Sequence, residues 1–384
     1  MKQMIASSTD SASSFDICIH GAGFVGRALA LLLAQNGLRV ALLSNDAAQA
    51  ESIDIRAFAF SAASKDLLTA IRAWPSNVAI TPVLSMQVFG DAGGHVQLDA
   101  PEHAEALSWI VDVPALEFAL KKQVAGEPGV ACLAEGTACK AKLHVVCEGR
   151  ASRITEDLGL RFETIRYPQH AVAARLICEL PHDSAARQWF TEHGEVLALL
   201  PMQGNEVALV WSLESNRAKQ MLAASDEAFA AALETACHKA LGSLVLSGAR
   251  ALWPLQMART DQWTGQASGM GTWVIAGDAA HTVHPLAGQG LNLGLGDAAL
   301  LAQTLKTLQG DSPLFRPTQT KLDRALQGYA RARQAAAAPI AGVTDGLHLL
   351  FARDSVLLAR ARNLGMSWLN RANSIKNFLI KWAQ

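Results

Sequence analysis

The stretch WVIAGDAAHTVHPLAGQGLNLGLGD, Trp273–Asp297, decides how this chain is read. Its apolar start, Trp273 to Ala276, has the pattern of a buried strand, and Asp278 stands at that strand's end. The small residues Ala279 and Ala280 follow. The Pro- and Gly-rich run His284-Pro285-Leu286-Ala287-Gly288-Gln289-Gly290 then turns the chain into a long helix expected over 289–308. Strand, acid, tight turn and helix N-terminus are thus stacked in one place. An aspartate so placed can accept hydrogen bonds from ribityl hydroxyls. The N–H groups of Gly290, Leu291 and Asn292 can stabilise negative charge developing at the N1/C2=O edge of a reduced flavin ring.

Working outward, the same chemistry needs a seat for a dinucleotide. FDICIH, Phe15–His20, reads as a buried strand running straight into Gly21-Ala22-Gly23-Phe24-Val25-Gly26. Val25, Leu29, Leu32 and Leu33 then fall at helical spacing, and a second strand is expected over 39–43. This is a βαβ opening with G-x-G-x-x-G at its first turn, the arrangement that lets backbone and a helix N-terminus approach a pyrophosphate. A glycine turn that merely packs helix on strand is the competing reading.

The acid that would hold the adenosine ribose at the end of the second strand is replaced by Ser44, with Asp46 two residues late. A neutral acceptor forgoes the charge-assisted part of that contact, on the order of 1 kcal/mol. Farther on, Arg56 sits in DIRAFAFS, an otherwise apolar stretch where an unpaired charge would be costly to bury. Its partner is either a cofactor phosphate or Asp54.

Between these ends the pattern changes. Strand-like runs are expected over 81–98, around Cys132 and over 144–147, with a helix over 114–124. Longer runs follow in AVAARLICEL and VLALLPMQGNEVALVWSL, the latter broken by a Gln203-Gly204-Asn205 hairpin turn, and a helix is expected over 226–241. The fold class is therefore α/β: a Rossmann-like FAD-binding domain with an inserted mixed β-sheet substrate lobe and a C-terminal helical tail. The expected division is 1–80, 100–160 and 250–340 for the discontinuous cofactor domain, 81–99 and 161–249 for the sheet lobe, and 341–384 for the C-terminal helical region.

Composition removes other classes. With 33 Lys+Arg against 34 Asp+Glu in 384 residues, no whole-molecule field recruits nucleic acid. The six cysteines include no CxxC pair and read as reduced core thiols, so no metal is expected. His281 and His284, spaced i,i+3 across a proline-broken turn, lack a nearby third ligand. His284 reads equally as an acid or base beside the ring and as a packing or capping residue. No Ser/His/Asp triad, glycosidase carboxylate pair or Walker loop is present in the sequence.

Several segments together carry a wider likeness. GAGFVG (21–26), DIRAFAFSAAS (54–64), GDAAHTVHPLAGQGLNLGLGDAALLAQTL (277–305), YARARQ (329–334), TDGLHLLF (344–351) and RNLGMSWLNR (362–371) resemble the ubiquinone-biosynthesis hydroxylase family of class A flavoprotein aromatic monooxygenases. The likeness extends through 168–201 and so covers nearly the whole chain.

The resemblance implies an FAD enzyme that hydroxylates the ring of a polyprenylated phenol or benzoquinol in ubiquinone biosynthesis. Its reductant would be NAD(P)H, its co-substrate O2, and its oxygen carrier a flavin C4a-hydroperoxide. It places Gly21, Gly23 and Gly26 along the pyrophosphate, Arg56 at the cofactor, Asp278 at the ribityl-phosphate region, and Gly288, Gln289, Gly290, Leu291 and Asn292 along the isoalloxazine. Pro285 and Leu286, with His284, are wall residues of the substrate pocket.

The chain departs from the family at Cys147-Glu148-Gly149, where Asp-Gly is usual, and over 130–144, which is short for a strand-hairpin-strand. With Ser44, these changes fall on the adenosine and pyrophosphate side, so weak FAD retention is expected. They motivate one alternative, a non-catalytic member scaffolding a ubiquinone-synthesis complex; a further alternative is a flavin reductase or dehydrogenase that never forms the hydroperoxide.

The first fifteen residues lack the apolar stretch of about 7–15 residues of a signal peptide, and no apolar run near the start reaches the roughly 20 residues of a membrane span. A cytoplasmic protein is expected. From Arg353 onward Arg360, Arg362, Arg371, Lys376 and Lys381 interleave with Leu357, Leu364, Trp368, Phe378 and Trp382. Such a tail suits either peripheral contact with the inner membrane surface or other ubiquinone-biosynthesis proteins, or simple packing over the cofactor domain.

Overall fold

Phe15–His20 forms the central strand, β1, of a six-stranded sheet. It runs parallel to β2 (Val40–Ser44) on one side and β9 (Ala141–Val146) on the other. Outside these, β8 (Val130–Ala134) and β17 (Gly271–Ile275) are also parallel, and β16 (Thr264–Ala267) closes one edge antiparallel. Strands covered on both faces tolerate near-continuous apolar runs, which is what β1, β2 and β17 carry. The computed structural model describes residues 15–44, 54–91, 93–149, 153–191, 194–282, 290–312 and 314–351, with side chains to 338 in the last helix.

One face of this sheet, through Ile17, Ile19, Val40, Leu42, Leu143 and Val145, is fully buried in the main core. The core is completed by α1 (Phe24–Gln35), α3 (Val113–Gly126) and α7 (Gly290–Gln309). The Ala- and Leu-rich sequence of α1 favours helix, and Gly37, at φ +79°, ends it in the left-handed conformation open to glycine. The last helix, α8 (Gln319–Phe351), packs on α7 and β16.

A small antiparallel sheet, ordered β3-β7-β4, stands beside this core: β3 (Ala57–Phe60), β4 (Ile80–Val83) and β7 (Ser108–Asp112), with α2 (Ala62–Ala70) following β3. The stretch expected as strand over 81–98 is thus divided. Its first part is β4, whereas β5 (Ser85–Phe89) and β6 (His95–Asp99) join a second, nine-stranded sheet.

That larger sheet contains β10 (Glu163–Cys178), β11 (Ala185–Phe190), β12 (Val196–Pro201), β13 (Glu206–Glu214), β14 (Leu244–Leu246), β15 (Ala251–Arg259) and β18 (His281–Thr282). It is mixed, because β11 pairs β5 in parallel while the remaining pairs are antiparallel. The register of β10 against β15 shifts between Arg166 and His170, and Pro168, which has no N–H for the ladder, sits in that bulge. One face is covered by α5 (Ser215–Ala223) and α6 (Asp226–Ala236), with Trp211, Phe229 and Leu233 at their contact. Helix α6 stops short of the expected Leu241, because His238 and Lys239 take left-handed φ values of 53° and 54°. The short α4 (Arg153–Asp157) leads toward β10.

Candidate cofactor and active site

Two glycines of the first turn have a steric reason within the protein, and the third leaves space open. Gly21 has φ +101°, and a Cβ there would lie 2.7 Å from the Cys147 carbonyl carbon and the Glu148 nitrogen. At Gly26 a Cβ would fall 1.9 Å from the Gly21 carbonyl oxygen, so α1 is seated directly on the turn. Gly23 has nothing within 4 Å of its missing Cβ. It is the N-cap of α1 and makes no side-chain cap bond. The turn therefore presents an open approach to a helix N-terminus, which fits a dinucleotide pyrophosphate. Ser44 lies at the end of β2, half-buried, its carbonyl accepting from the Glu135 N–H at 3.0 Å.

The segment after β17 closes on the same turn. Gly277, at φ +67°, and Gly294 of α7 both pack against Val25, and a Cβ on Gly294 would come within 2.6 Å of Val25 Cγ2. This close approach brings α7 against α1. Asp278 is exposed at the end of the strand, while its neighbours Gly277 and Ala279 are buried. Helix α7 begins at Gly290, so the N–H groups of Gly290, Leu291 and Asn292 are those that an α-helix leaves without intrahelical acceptors. Residues 283–289, which include His284, Pro285, Leu286, Gly288 and Gln289, lie outside the described residues.

The Asn292 side chain has a second task. Its amide donates to the Ala59 carbonyl at 2.8 Å, and its oxygen accepts from the Ser61 N–H at 3.1 Å, tying α7 to the end of β3. Asn292→Ala leaves two backbone groups without these partners. It is expected to destabilise the protein by about 1–3 kcal/mol, measured by urea unfolding.

Arg56 is paired with Asp54: its Nε lies 2.9 and 3.0 Å from the two carboxylate oxygens, and a terminal nitrogen 2.5 Å from Oδ2. The guanidinium lies over both Phe58 and Trp253, at 5.5 and 5.8 Å from the ring centroids, and so stands between the small sheet and the large one. Asp54 raises the Arg56 guanidinium against the effect of burial, and the charges of Asp278 and Glu117 add to this. Burial pushes the Asp54 carboxyl up, but the hydrogen bonds and charge of Arg56 outweigh it and hold it below the usual range. Arg175 of β10 donates to the Ile55 carbonyl at 3.0 Å and pairs with Asp112, fixing this segment to the large sheet.

Behind the site is a buried ionic cluster that sequence reading missed. Asp297 of α7 has no exposed surface. It accepts from the Gly277 N–H at 2.8 Å and from Arg333 Nε at 2.5 Å, and lies 2.8 Å from His281 Nε2. Arg333 also donates to the Leu293 carbonyl at 2.9 Å, and His281 stacks on Trp263 with ring centroids 5.3 Å apart. The cluster joins α8, α7 and the turn that carries Asp278. The sequence signal for it is an aspartate in the apolar helix run LNLGLGDAALL, where a charge survives burial only with partners.

A βαβ glycine turn after β1, an acid after β17 and a second helix, α7, packed on α1 are together the parts of a dinucleotide-binding flavoprotein. Comparison with known proteins carries this further. The FAD binding domain family matches residues 121–313. Ubiquinone hydroxylase UbiL of Rhodospirillum rubrum is 30% identical over 396 residues, covering 96% of this chain and 89% of the relative. The 3-demethoxyubiquinol 3-hydroxylase of Escherichia coli is 28% identical, with 96% and 98% covered.

Among solved structures, Pseudomonas aeruginosa PqsL in complex with 2-aminobenzoylacetate superposes with a TM-score of 0.73 at 19% identity, covering 92% of this chain and 99% of that one. The p-nitrophenol 4-monooxygenase PnpA of Pseudomonas putida gives 0.72 at 14% identity, with 96% of each covered. These two likenesses concern the fold. The chain belongs to the family of FAD-dependent monooxygenases that includes the ubiquinone hydroxylases. It is an FAD enzyme, and NAD(P)H is the usual reductant of that family.

Proposed function

We propose that this enzyme inserts one oxygen atom of O2 into the aromatic ring of a polyprenylated phenol or benzoquinol on the route to ubiquinone. The observation that carries the reading is similarity to a ubiquinone hydroxylase over 96% of a chain that packs Gly277 and Gly294 against Val25 of the helix following its glycine turn.

Bound FAD, reduced by NAD(P)H, supplies the oxygen-activating chemistry. Gly21, Gly23 and Gly26, with the α1 N-terminus, hold its pyrophosphate, Ser44 its adenosine ribose, and Asp278 its ribityl chain. Gly288, Gln289, Gly290, Leu291 and Asn292 border the ring, where the N–H groups opening α7 favour the negative charge of the reduced form. Arg56, already neutralised by Asp54 and close to Asp278, steadies the cofactor between the two sheets.

For the substrate, the large sheet offers the face opposite α5 and α6. Strand alternation and register put Ala171, Ala173, Ala198 and Val210 on it, with Trp253 at its edge, while Ala208 of the same face packs on the small sheet. Such small side chains leave room for a flat ring while excluding water from the reacting atoms. His284, Pro285 and Leu286, outside the described residues, are assigned to the pocket wall beside the ring. The division into a discontinuous cofactor domain and an inserted substrate lobe follows the same logic.

No helix among the described residues is long and apolar enough to cross a membrane. A cytoplasmic location with peripheral contact at the inner membrane, through the basic tail after Arg353, suits a polyprenyl substrate. That tail and its contacts, with lipid or with other ubiquinone-biosynthesis proteins, lie outside the described residues.

The test is complementation of bacterial strains each lacking one ring-hydroxylation step, with quinone intermediates identified by mass. Restored ubiquinone in one strain supports the reading, and failure in every strain opposes it. Because Ser44 stands where an acid is usual and Glu148 where the shorter Asp is usual, FAD is expected to dissociate during extensive dialysis and to restore activity when added back. Stoichiometric FAD after dialysis would count against that expectation.

A further inference from the structure

The face of the first sheet turned away from α1 carries a group of residues that the flavin chemistry does not use. Ile17 and Ile19 of β1 point into the main core, so alternation sends Cys18 and His20 to the other side. Cys18 is in register with His144 of β9, which shares that face. Cys18 and His144 are buried, and His20 is half-buried.

Three ligand atoms from these residues, the Cys18 sulfur and one ring nitrogen of each histidine, lie within 4.8 Å of one another. His20 Nε2 and His144 Nδ1 are 2.9 Å apart, with the rings stacked at 5.3 Å between centroids. The connector between β8 and β9 brings a further thiol, that of Cys139, toward this face, outside that close group of three. Cys139 packs against the cluster formed by Cys18, Ala41 and Leu43.

We propose that Cys18, His20, Cys139 and His144 form a site for one tetrahedral divalent transition-metal ion, zinc by preference. Two sulfurs and two imidazole nitrogens are the donor set that zinc selects, and four protein ligands leave no open position, which marks a structural site. Zn–N bonds of about 2.0–2.1 Å at tetrahedral angles put two nitrogens roughly 3.3–3.4 Å apart. The 2.9 Å histidine contact therefore needs to open by only about 0.4–0.5 Å.

Metal entry displaces one proton from each thiol, and a zinc ion with two thiolates is electrically neutral, the form that a buried setting accepts. Cysteine spacing in the sequence gave no sign of this, since the ligands come from two strands and a connector.

The site sits beneath the cofactor turn: His20 directly precedes Gly21, and its carbonyl accepts from the Cys147 N–H at 2.7 Å. An ion there ties β1, β9 and the connector together where the turn is anchored.

The test uses the full chain with FAD, expressed without a polyhistidine tag, stripped by chelator under reducing conditions and titrated with Co2+ as a spectroscopic probe. One Co2+ per chain is expected, with d–d absorption to the red of the flavin bands at the intensity of tetrahedral thiolate coordination, displaced by Zn2+. Cys139→Ser, on a half-buried connector, and His144→Gln are each expected to weaken Co2+ binding at least tenfold. Cys132→Ser, an exposed cysteine on β8, is expected to change nothing. Circular dichroism and FAD content report folding of each variant. The proposal is overturned if the folded, reduced protein shows no such band, or if the band survives in the Cys18→Ser/Cys139→Ser double variant. It is equally overturned if a Cys18–Cys139 disulfide is the isolated state and its reduction brings no metal uptake.

Discussion

Alanine in place of Gly26 is expected to give a protein that emerges colourless from purification, with FAD affinity reduced by at least about a hundredfold, or roughly 2.7 kcal/mol. The added methyl would lie 1.9 Å from the Gly21 carbonyl oxygen, a backbone atom with no freedom to rotate away. Helix α1 must therefore lift off the turn, moving its N-terminal N–H groups away from the phosphates. Gly23→Ala is the informative comparison. Its methyl meets no protein atom within 4 Å, so the chain folds normally and any loss of FAD arises only from crowding the ligand. Thermal unfolding of the two apoproteins separates the cases: Gly26→Ala is expected to unfold at lower temperature, Gly23→Ala close to wild type. Equal FAD retention by Gly26→Ala and wild type would remove this turn from the cofactor site.

Asp297→Ala carries the largest expected loss of stability, about 3–5 kcal/mol by denaturant unfolding, because it strands a largely buried Arg333 without its carboxylate. The Gly277 N–H also loses its acceptor, and with it the conformation that puts Asp278 at the strand end. FAD binding should therefore weaken together with stability. Asp297→Asn keeps an acceptor for the Gly277 N–H while leaving the Arg333 charge unneutralised, and an intermediate cost is expected. A change below about 1 kcal/mol in Asp297→Ala would mean that the cluster is not what joins α7 and α8.

Much of the architecture was legible in the sequence because local physics determines it. The strand Phe15–His20, the glycine turn, α1, the hairpin at Gln203-Gly204-Asn205 and the start of α7 each follow from apolar periodicity with glycine punctuation. Features that depend on distant partners were not legible. The run over 81–98 divides between two sheets because β4 pairs β7 whereas β5 pairs β11, a choice made by contacts far along the chain. The early end of α6 depends on left-handed residues, His238 and Lys239, that carry no glycine signal.

The same distinction applies to the site. Gly21 and Gly26 were readable because the turn demands them, whereas nothing in the protein crowds Gly23 and its reading rests on the ligand. Arg56 left two partners open, and the structure pairs it with Asp54, as one of those readings had it, beside the charge of Asp278. The Asp297–Arg333–His281 cluster and the group around Cys18 are assembled from segments far apart in sequence, and no spacing rule reaches them.

The most direct measurement of the central claim is a turnover of the FAD-loaded enzyme with NAD(P)H and a polyprenylated phenol under 18O2, followed by mass analysis of the product. One labelled oxygen atom on the ring, with one NAD(P)H oxidised per product, is the predicted result. NAD(P)H oxidation that yields only hydrogen peroxide and unlabelled substrate, across the whole set of ubiquinone ring precursors, would contradict it.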